Sequence, residues 1–201
     1  MWPLMACSVG ALAIVLERLW ALRRKKVLPD AVTEQVRHWQ RTGRISLHDL
    51  DALAGATPLG KIVTAGLLGQ NRGRETIKEN IEETGRHVVH ELERYLNALG
   101  TIAAATPLIG LLGTVIGMIR VFNVITLQGV GDPAILAGGI SEALITTATG
   151  LTIAIPSLMF YRYFRGRVDE FVVSMEQEAL MLTEILHGAE DRADSKPFDR
   201  Q

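Results

Sequence analysis

A single carboxylate stands in the most apolar part of the sequence, with hydroxyls around it. Glu142 lies in GGISEALITTATGLTIAIP (Gly138 to Pro156) and is the only charged residue among the 29 between Asp132 and Arg162. An ionised acid at mid-membrane costs roughly 2.5 to 3.5 kcal/mol on insertion scales, so it is kept where it faces a cavity, a partner or a proton route. The chemistry this invites is proton uptake and release, with threonine hydroxyls and water as relays. The plainer alternative is a neutral glutamic acid hydrogen-bonded near the outer interface, but the default for an ionisable group inside a membrane is function.

Helical geometry says which neighbours share its face. At about 100° per residue, Gly138, Glu142, Thr146 and Thr149 fall within roughly 40° of one line. Thr147 lies about 140° from Glu142, so both line one path only if that path is broad or the helix is locally distorted. The preceding apolar segment, TPLIGLLGTVIGM (Thr106 to Met118), offers Thr114. Counted inward from Phe122 and from Ala134, Thr114 and Glu142 both lie roughly 12 Å below the outer boundary, which lets them face one another. One acid part-way down does not carry a proton across. The rest of the route must come from threonines, water, other copies or a partner that brings a second acid.

The elements that position these groups follow from the distribution of charge. No charge occurs in the 25 residues between Arg94 and Arg120, so this run and the one holding Glu142 are each long enough to span a hydrocarbon core of ~30 Å. Trp2 to Leu22 reads as a first span, closed by Arg23, Arg24, Lys25 and Lys26. A cleaved signal would carry its positive charge before the apolar run, so an uncleaved anchor is expected, and because few residues precede Trp2 the expected start is a truncated or misassigned one. The basic cluster fixes orientation, with a possible role in anionic lipid binding, and Arg162, Arg165 and Arg167 mark the return to the same side. The expected layout is all-α: spans at 1–22, 98–122 and 134–161, cytoplasmic regions at 23–97 and 162–188, an outer loop at 123–133 and a disordered tail at 189–201. The amino end is then outside and the carboxyl end cytoplasmic.

Between the spans, Asp30 can cap a helix ended by Gly43, and Ser46 another reaching about Leu53. Gly60, Gly66 and Gly69 weaken a helical reading of Thr57 to Gly73. From Glu75, apolar Ile77, Ile81, Val88, Leu92, Leu96 and Leu99 recur at helical spacing, and the pattern predicts one unbroken helix entering the second span. Pro107 sits inside that span, where neighbouring groups must satisfy the freed carbonyl. Val168, Phe171, Val172, Met175, Leu182, Ile185 and Leu186 predict a further amphipathic helix, ended by His187 and Gly188. These stripes must pack on each other or on another copy, and about 100 polar-region residues make a thin monomeric core, which favours an oligomer. Gly110, Gly113 and Gly117, with Gly138 and Gly139, are the candidate helix-packing positions, because small residues let backbones approach.

Several functions find no support. A formal net charge of −1 with no basic aromatic patch argues against nucleic acid. His87, His90 and Glu91 sit on a charged helix without further ligands, so no metal site or cofactor is expected. There is no GxSxG, phosphate loop or nucleophile paired with a base. Cys7 is the one cysteine and reads as a small buried hydrophobe. Arg120 at the outer end reads as snorkelling to headgroups. A self-contained ion channel would need a closed pore from its own residues, and one shallow acid favours a pore filled by a partner.

At LIGLLGTVIGM, with Thr114, and GISEALITTATGL, with Glu142 and Thr147, the sequence resembles the ExbB, TolQ and MotA family of proton-channel stator subunits, most closely its ExbB branch. The three-span layout, the ERLWALRR exit from the first span and the helices flanking the hairpin extend the resemblance to about Gly188. MotA-type proteins have four spans, which departs from the three seen here, and the short amino terminus departs from many ExbB-like proteins. The resemblance implies an inner-membrane pentamer whose second and third helices surround a pore holding the single helices of an ExbD-like dimer. Thr114, Glu142 and Thr147 would line the proton path beside that dimer's membrane aspartate. Proton flow would drive relative rotation, passed through TonB to outer-membrane receptors for iron-siderophores and vitamin B12. The TolQ branch, geared to outer-membrane integrity, is the neighbouring reading.

Overall fold

Apolar runs of helical length set the architecture. The computed structural model describes residues 2–32, 34, 38, 57–68, 74–129 and 133–194, and every element named below is an α-helix. In chain order these are α1 (Trp2–Ala21), α2 (Arg24–Val27), α3 (Pro58–Leu68), α4 (Arg74–Leu92), α5 (Leu96–Gln128) and α6 (Pro133–Asp194). Three helices are long and apolar enough to cross a membrane: α1, α5 and the Pro133–Met181 part of α6. Only 11% of the α5 span is buried within the chain and 22% of each of the others, so most of their apolar surface must meet lipid or other subunits. The expected helices around Asp30 to Arg41 and Ser46 to Leu53 fall largely outside the described residues.

The chain divides into two units. The first comprises Met1–Leu19 and Tyr95–Arg165, the second Trp20–Arg94 and Gly166–Gln201. In the first, the interior is made of small and hydroxylated residues as much as of large ones: Ala11, Ala103, Thr106, Ala143, Ala154 and Ser157 are buried with Leu4, Val15, Leu99 and Phe164. Pro107 and Pro156 lie inside continuous helices. Beside each stands a buried hydroxyl, Thr106 donating to the Ile102 carbonyl and Ser157 to the Ile153 carbonyl at 2.7 Å. The carbonyls that the prolines leave without an N–H are those of Ala103 and Thr152, and each hydroxyl bonds the carbonyl next to the freed one.

In the second unit the apolar stripes meet each other. Leu59 and Val63 of α3, Ile77 and Val88 of α4, and Val168, Phe171 and Met175 of α6 are all buried. Ile62, Ile81, Val89, Val172, Met175 and Ala179 line one groove of about 390 Å³ between these three helices. Lys61 Nζ bonds the Glu91 carboxylate at 2.7 and 2.9 Å, tying α3 to α4 at the surface.

Four boundaries differ from the sequence expectation. The helix leading to the second span is broken: α4 ends at Leu92, and Tyr95 takes a left-handed conformation at φ 63° before α5 begins. The buried series Val88, Leu92, Leu96, Leu99 keeps helical spacing across this break, so periodicity alone hides it. A helix does form at Pro58–Leu68 despite its glycines, because Thr57 caps it, its Oγ1 accepting the Gly60 N–H at 3.1 Å, and Pro58 fits the first helical position. The connection between α5 and α6 is shorter than expected: α5 runs to Gln128, where Gly129 at φ 73° donates its N–H to the Ile125 carbonyl at 2.9 Å. Finally, α6 continues past Gly188 to Asp194, helical propensity in HGAEDRAD outweighing one glycine.

Candidate functional site

The antiparallel pair α5 and α6 closes along a seam of small residues. Reading along α5, Gly110 lies over Thr147 and Gly150, Gly113 over Thr146, Gly117 over Ala143, and Val121 over Gly139. A β-carbon on Gly110 would stand 3.1 Å from Thr147 Cα, and one on Gly117 would stand 2.9 Å from Ala143 Cβ. Such spacing leaves no room for a methyl, which is why glycine occupies these positions. The expected packing glycines Gly110, Gly113, Gly117 and Gly139 are thus all in the seam. Gly138 is not: a β-carbon there would meet nothing within 4 Å, and the residue is exposed. Gly150 belongs to the seam and escaped the sequence reading, although the spacing Gly139, Ala143, Thr146, Gly150 pointed to it.

One hydroxyl crosses the seam. Thr147 Oγ1 donates to the Gly110 carbonyl at 2.9 Å. The other threonines bond their own helices: Thr114 to the Leu111 carbonyl at 2.7 Å, Thr146 to the Glu142 carbonyl at 2.8 Å and Thr149 to the Ile145 carbonyl at 2.8 Å. Helical hydroxyls do this when no other acceptor is offered, and each remains free to accept from water or a partner.

Glu142 is exposed, and its carboxylate makes no hydrogen bond or ion pair with any described residue. It shares its open face with Gly138 and Ile145, both exposed. Because α6 is a regular helix here, Thr147 and Glu142 stay about 140° apart, on opposite flanks of the seam. The seam register also shifts the expected pairing. Thr114 follows Gly113, which meets Thr146, whereas Glu142 precedes Ala143, which meets Gly117. Thr114 and Glu142 are therefore offset by about one turn, ~5 Å along the axis, and among the described residues no hydrogen bond joins them. Thr149 turns toward α1, where it lines a groove with Leu4, Met5, Ser8 and Val9.

At the other end of the unit, Arg18 is 4% exposed, bonds Glu17 at 2.5 and 2.7 Å and lies 5.6 Å from the Tyr95 ring centroid. In the second unit the basic cluster forms a turn of helix: Arg23 precedes α2, which carries Arg24, Lys25 and Lys26, all exposed. The Lys26 ammonium sits over the Trp20 ring and is held below the usual lysine range, by partial desolvation first and by Arg23 second. His87 and His90 are exposed on α4, and among the described residues no group of three metal-ligating side chains converges.

Comparison with known proteins gives this hairpin a lineage. Residues 54–177 match the MotA/TolQ/ExbB proton channel family, and the chain belongs to that family. It is 34% identical over 165 residues to the ExbB-like 1 biopolymer transport protein of Synechocystis sp., covering 81% of this chain and 65% of that protein, so less than two thirds of that relative is spanned. It is 31% identical to the Tol-Pal system protein TolQ of Pseudomonas aeruginosa, over 86% of this chain and 79% of TolQ. It is 28% identical to the biopolymer transport protein exbB1 of Vibrio cholerae, over 96% of this chain and 87% of that protein. The chain is thus a multi-pass inner-membrane protein of a proton-channel family, which is a transport rather than an enzyme class.

Proposed function

We propose that this chain is the ExbB-type stator subunit of a motor driven by the proton-motive force. It assembles as a pentamer whose α5 and α6 helices surround the single membrane helices of an ExbD-like dimer. Glu142, with Thr114 and Thr146, serves the proton route, from which Thr149 is set apart by its place against α1, and proton passage through the complex energises a TonB-like protein for outer-membrane import of iron-siderophores and vitamin B12. The amino terminus is periplasmic, the carboxyl terminus cytoplasmic, and Arg23 to Lys26 lie at the phospholipid headgroups. One observation carries this reading: the lone acid of the hairpin is turned to the open side, without a partner among the described residues. An acid within a membrane span is kept where it faces a cavity, a partner or a proton route. Each proton crossing ~100 mV supplies about 2.3 kcal/mol, so a large mechanical event draws on several.

The test is energised siderophore uptake in a strain lacking the gene, complemented by wild type or by Glu142→Gln at matched membrane levels. Wild type restores uptake and Glu142→Gln does not. Normal uptake with Glu142→Gln would remove the acid from the mechanism. The 31% identity with TolQ over most of both chains favours a second reading, a Tol-Pal subunit. In that case the deletion leaves uptake intact and instead leaks periplasmic enzymes and sensitises cells to detergent.

A further inference from the structure

We infer that Thr147 is a positioning residue for the proton route, clamping the turn of α5 that bears Thr114 onto the turn of α6 that bears Glu142. This rests on the reading of the hairpin as a proton-channel stator. Two observations carry it. The Thr147 hydroxyl is committed to the Gly110 carbonyl, the only side-chain bond across the seam among those found in the described residues. It also lies on the flank of α6 opposite Glu142, so within one protomer the two do not line the same face.

The acceptor explains the effect. In an α-helix the carbonyl of Gly110 is also the acceptor for the Thr114 N–H. Thr147 therefore grips the same peptide group that holds Thr114, while its neighbour Thr146 returns a hydroxyl bond to the Glu142 carbonyl. The seam around it consists of glycine, alanine and threonine methyl contacts, which fix the distance between the helices but resist sliding poorly. A directional bond supplies the axial register that smooth surfaces lack. On this account the hydroxyl holds the route in shape and does not itself hand on the proton.

A covalent substitute for the clamp tests the idea. A β-carbon on Gly139 would stand 3.9 Å from Val121 Cβ, within the roughly 3.5 to 4.5 Å of a disulfide, and Val121→Cys removes the methyl that would otherwise meet it. The pair lies on the same seam, two turns from Thr147. Val121→Cys/Gly139→Cys is built in the Cys7→Ser background of the full complex, with Thr147, Thr147→Ser or Thr147→Val.

The first readout is the yield of the 121–139 disulfide under mild oxidation. Thr147→Val lowers it several-fold and Thr147→Ser does not. The second is energised transport, where Thr147→Val loses about tenfold or more, the scale expected of misplaced groups. Oxidation then restores Thr147→Val to the level of the oxidised Thr147 parent, and reduction reverses this. Equal disulfide yields with threonine and valine would overturn the clamp, whatever the activities. So would a crosslinked Thr147→Val that stays inactive beside an active crosslinked parent, since a relay hydroxyl is not replaced by a bond elsewhere. Failure of the stator reading is separate: it appears as undiminished transport by Glu142→Gln, while the disulfide yields still report on the seam.

Discussion

Gly150 rests on the carbonyl of Thr106: a β-carbon there would stand 2.8 Å from that oxygen and 3.2 Å from Gly110 Cα. Both neighbours are backbone, so neither can swing aside. Gly150→Ala is expected to force the helices apart and to cost about 1–3 kcal/mol, the usual scale of overpacking. Gly138→Ala, with nothing within 4 Å, is expected to be neutral or to stabilise by up to about 1 kcal/mol through helix propensity. Thermal unfolding of the detergent-purified protein separates the two. A Tm for Gly150→Ala equal to that of Gly138→Ala would contradict the seam.

Tyr95 offers a backbone test of the same kind. At φ 63° a non-glycine residue carries roughly 1–2 kcal/mol of strain, set against its ring contact with buried Arg18. Tyr95→Ala and Tyr95→Gly both lose the ring, but only glycine relieves the backbone. The glycine variant is therefore expected to be the more stable by about 1 kcal/mol in denaturant melts. An alanine variant as stable as the glycine one would mean that the break is not left-handed.

These two positions also mark where sequence reading succeeded and where it stopped. The three spans were legible because charge is sparse within them and crowded beside them. Four of the five packing glycines were legible too, since small residues at helical spacing have few other uses in a membrane. Gly138 and Gly139 look alike in sequence, and only the seam's rotation tells the packed one from the exposed one. Tyr95 gave no warning: left-handed residues are usually announced by glycine or asparagine, and the apolar spacing runs on across the break. The Pro58–Leu68 helix did announce itself, through Thr57 and Pro58, but its glycines obscured the signal. Thr147 shows the limit most plainly. A wheel gives its angle from Glu142, but the bond to Gly110 depends on the register between two helices, which no single-helix pattern encodes.

In the second unit, burial and surface charge make opposite demands. Leu59 is 0% exposed in the interior, and Leu59→Ala is expected to cost about 2–5 kcal/mol. Lys61 and Glu91, on the same pair of helices, are well exposed. A double-mutant cycle on them should return no more than about 1 kcal/mol, fading in molar salt. Chemical denaturation followed by a probe in α3 or α4 reads both. A coupling above that range would make the ion pair, and not the apolar packing, the tie between α3 and α4.

Glu142 should also be reachable by reagents that travel through lipid. Hydrophobic carbodiimides partition into lipid and react with carboxyl groups exposed there. Since Glu142 is exposed on α6 and its carboxylate is unbonded among the described residues, membranes holding the subunit alone should show the carbodiimide adduct on the peptide carrying Glu142. Glu142→Gln abolishes that adduct by removing the only acid between Asp132 and Asp169. Co-expression of the single-span partner should then suppress the adduct, because the partner helices would occupy the face that the reagent approaches. Mass spectrometry of the labelled peptide measures each arm. Equal labelling with and without the partner would mean that Glu142 looks toward lipid, and the proton route would have to be sought on the other flank of the seam.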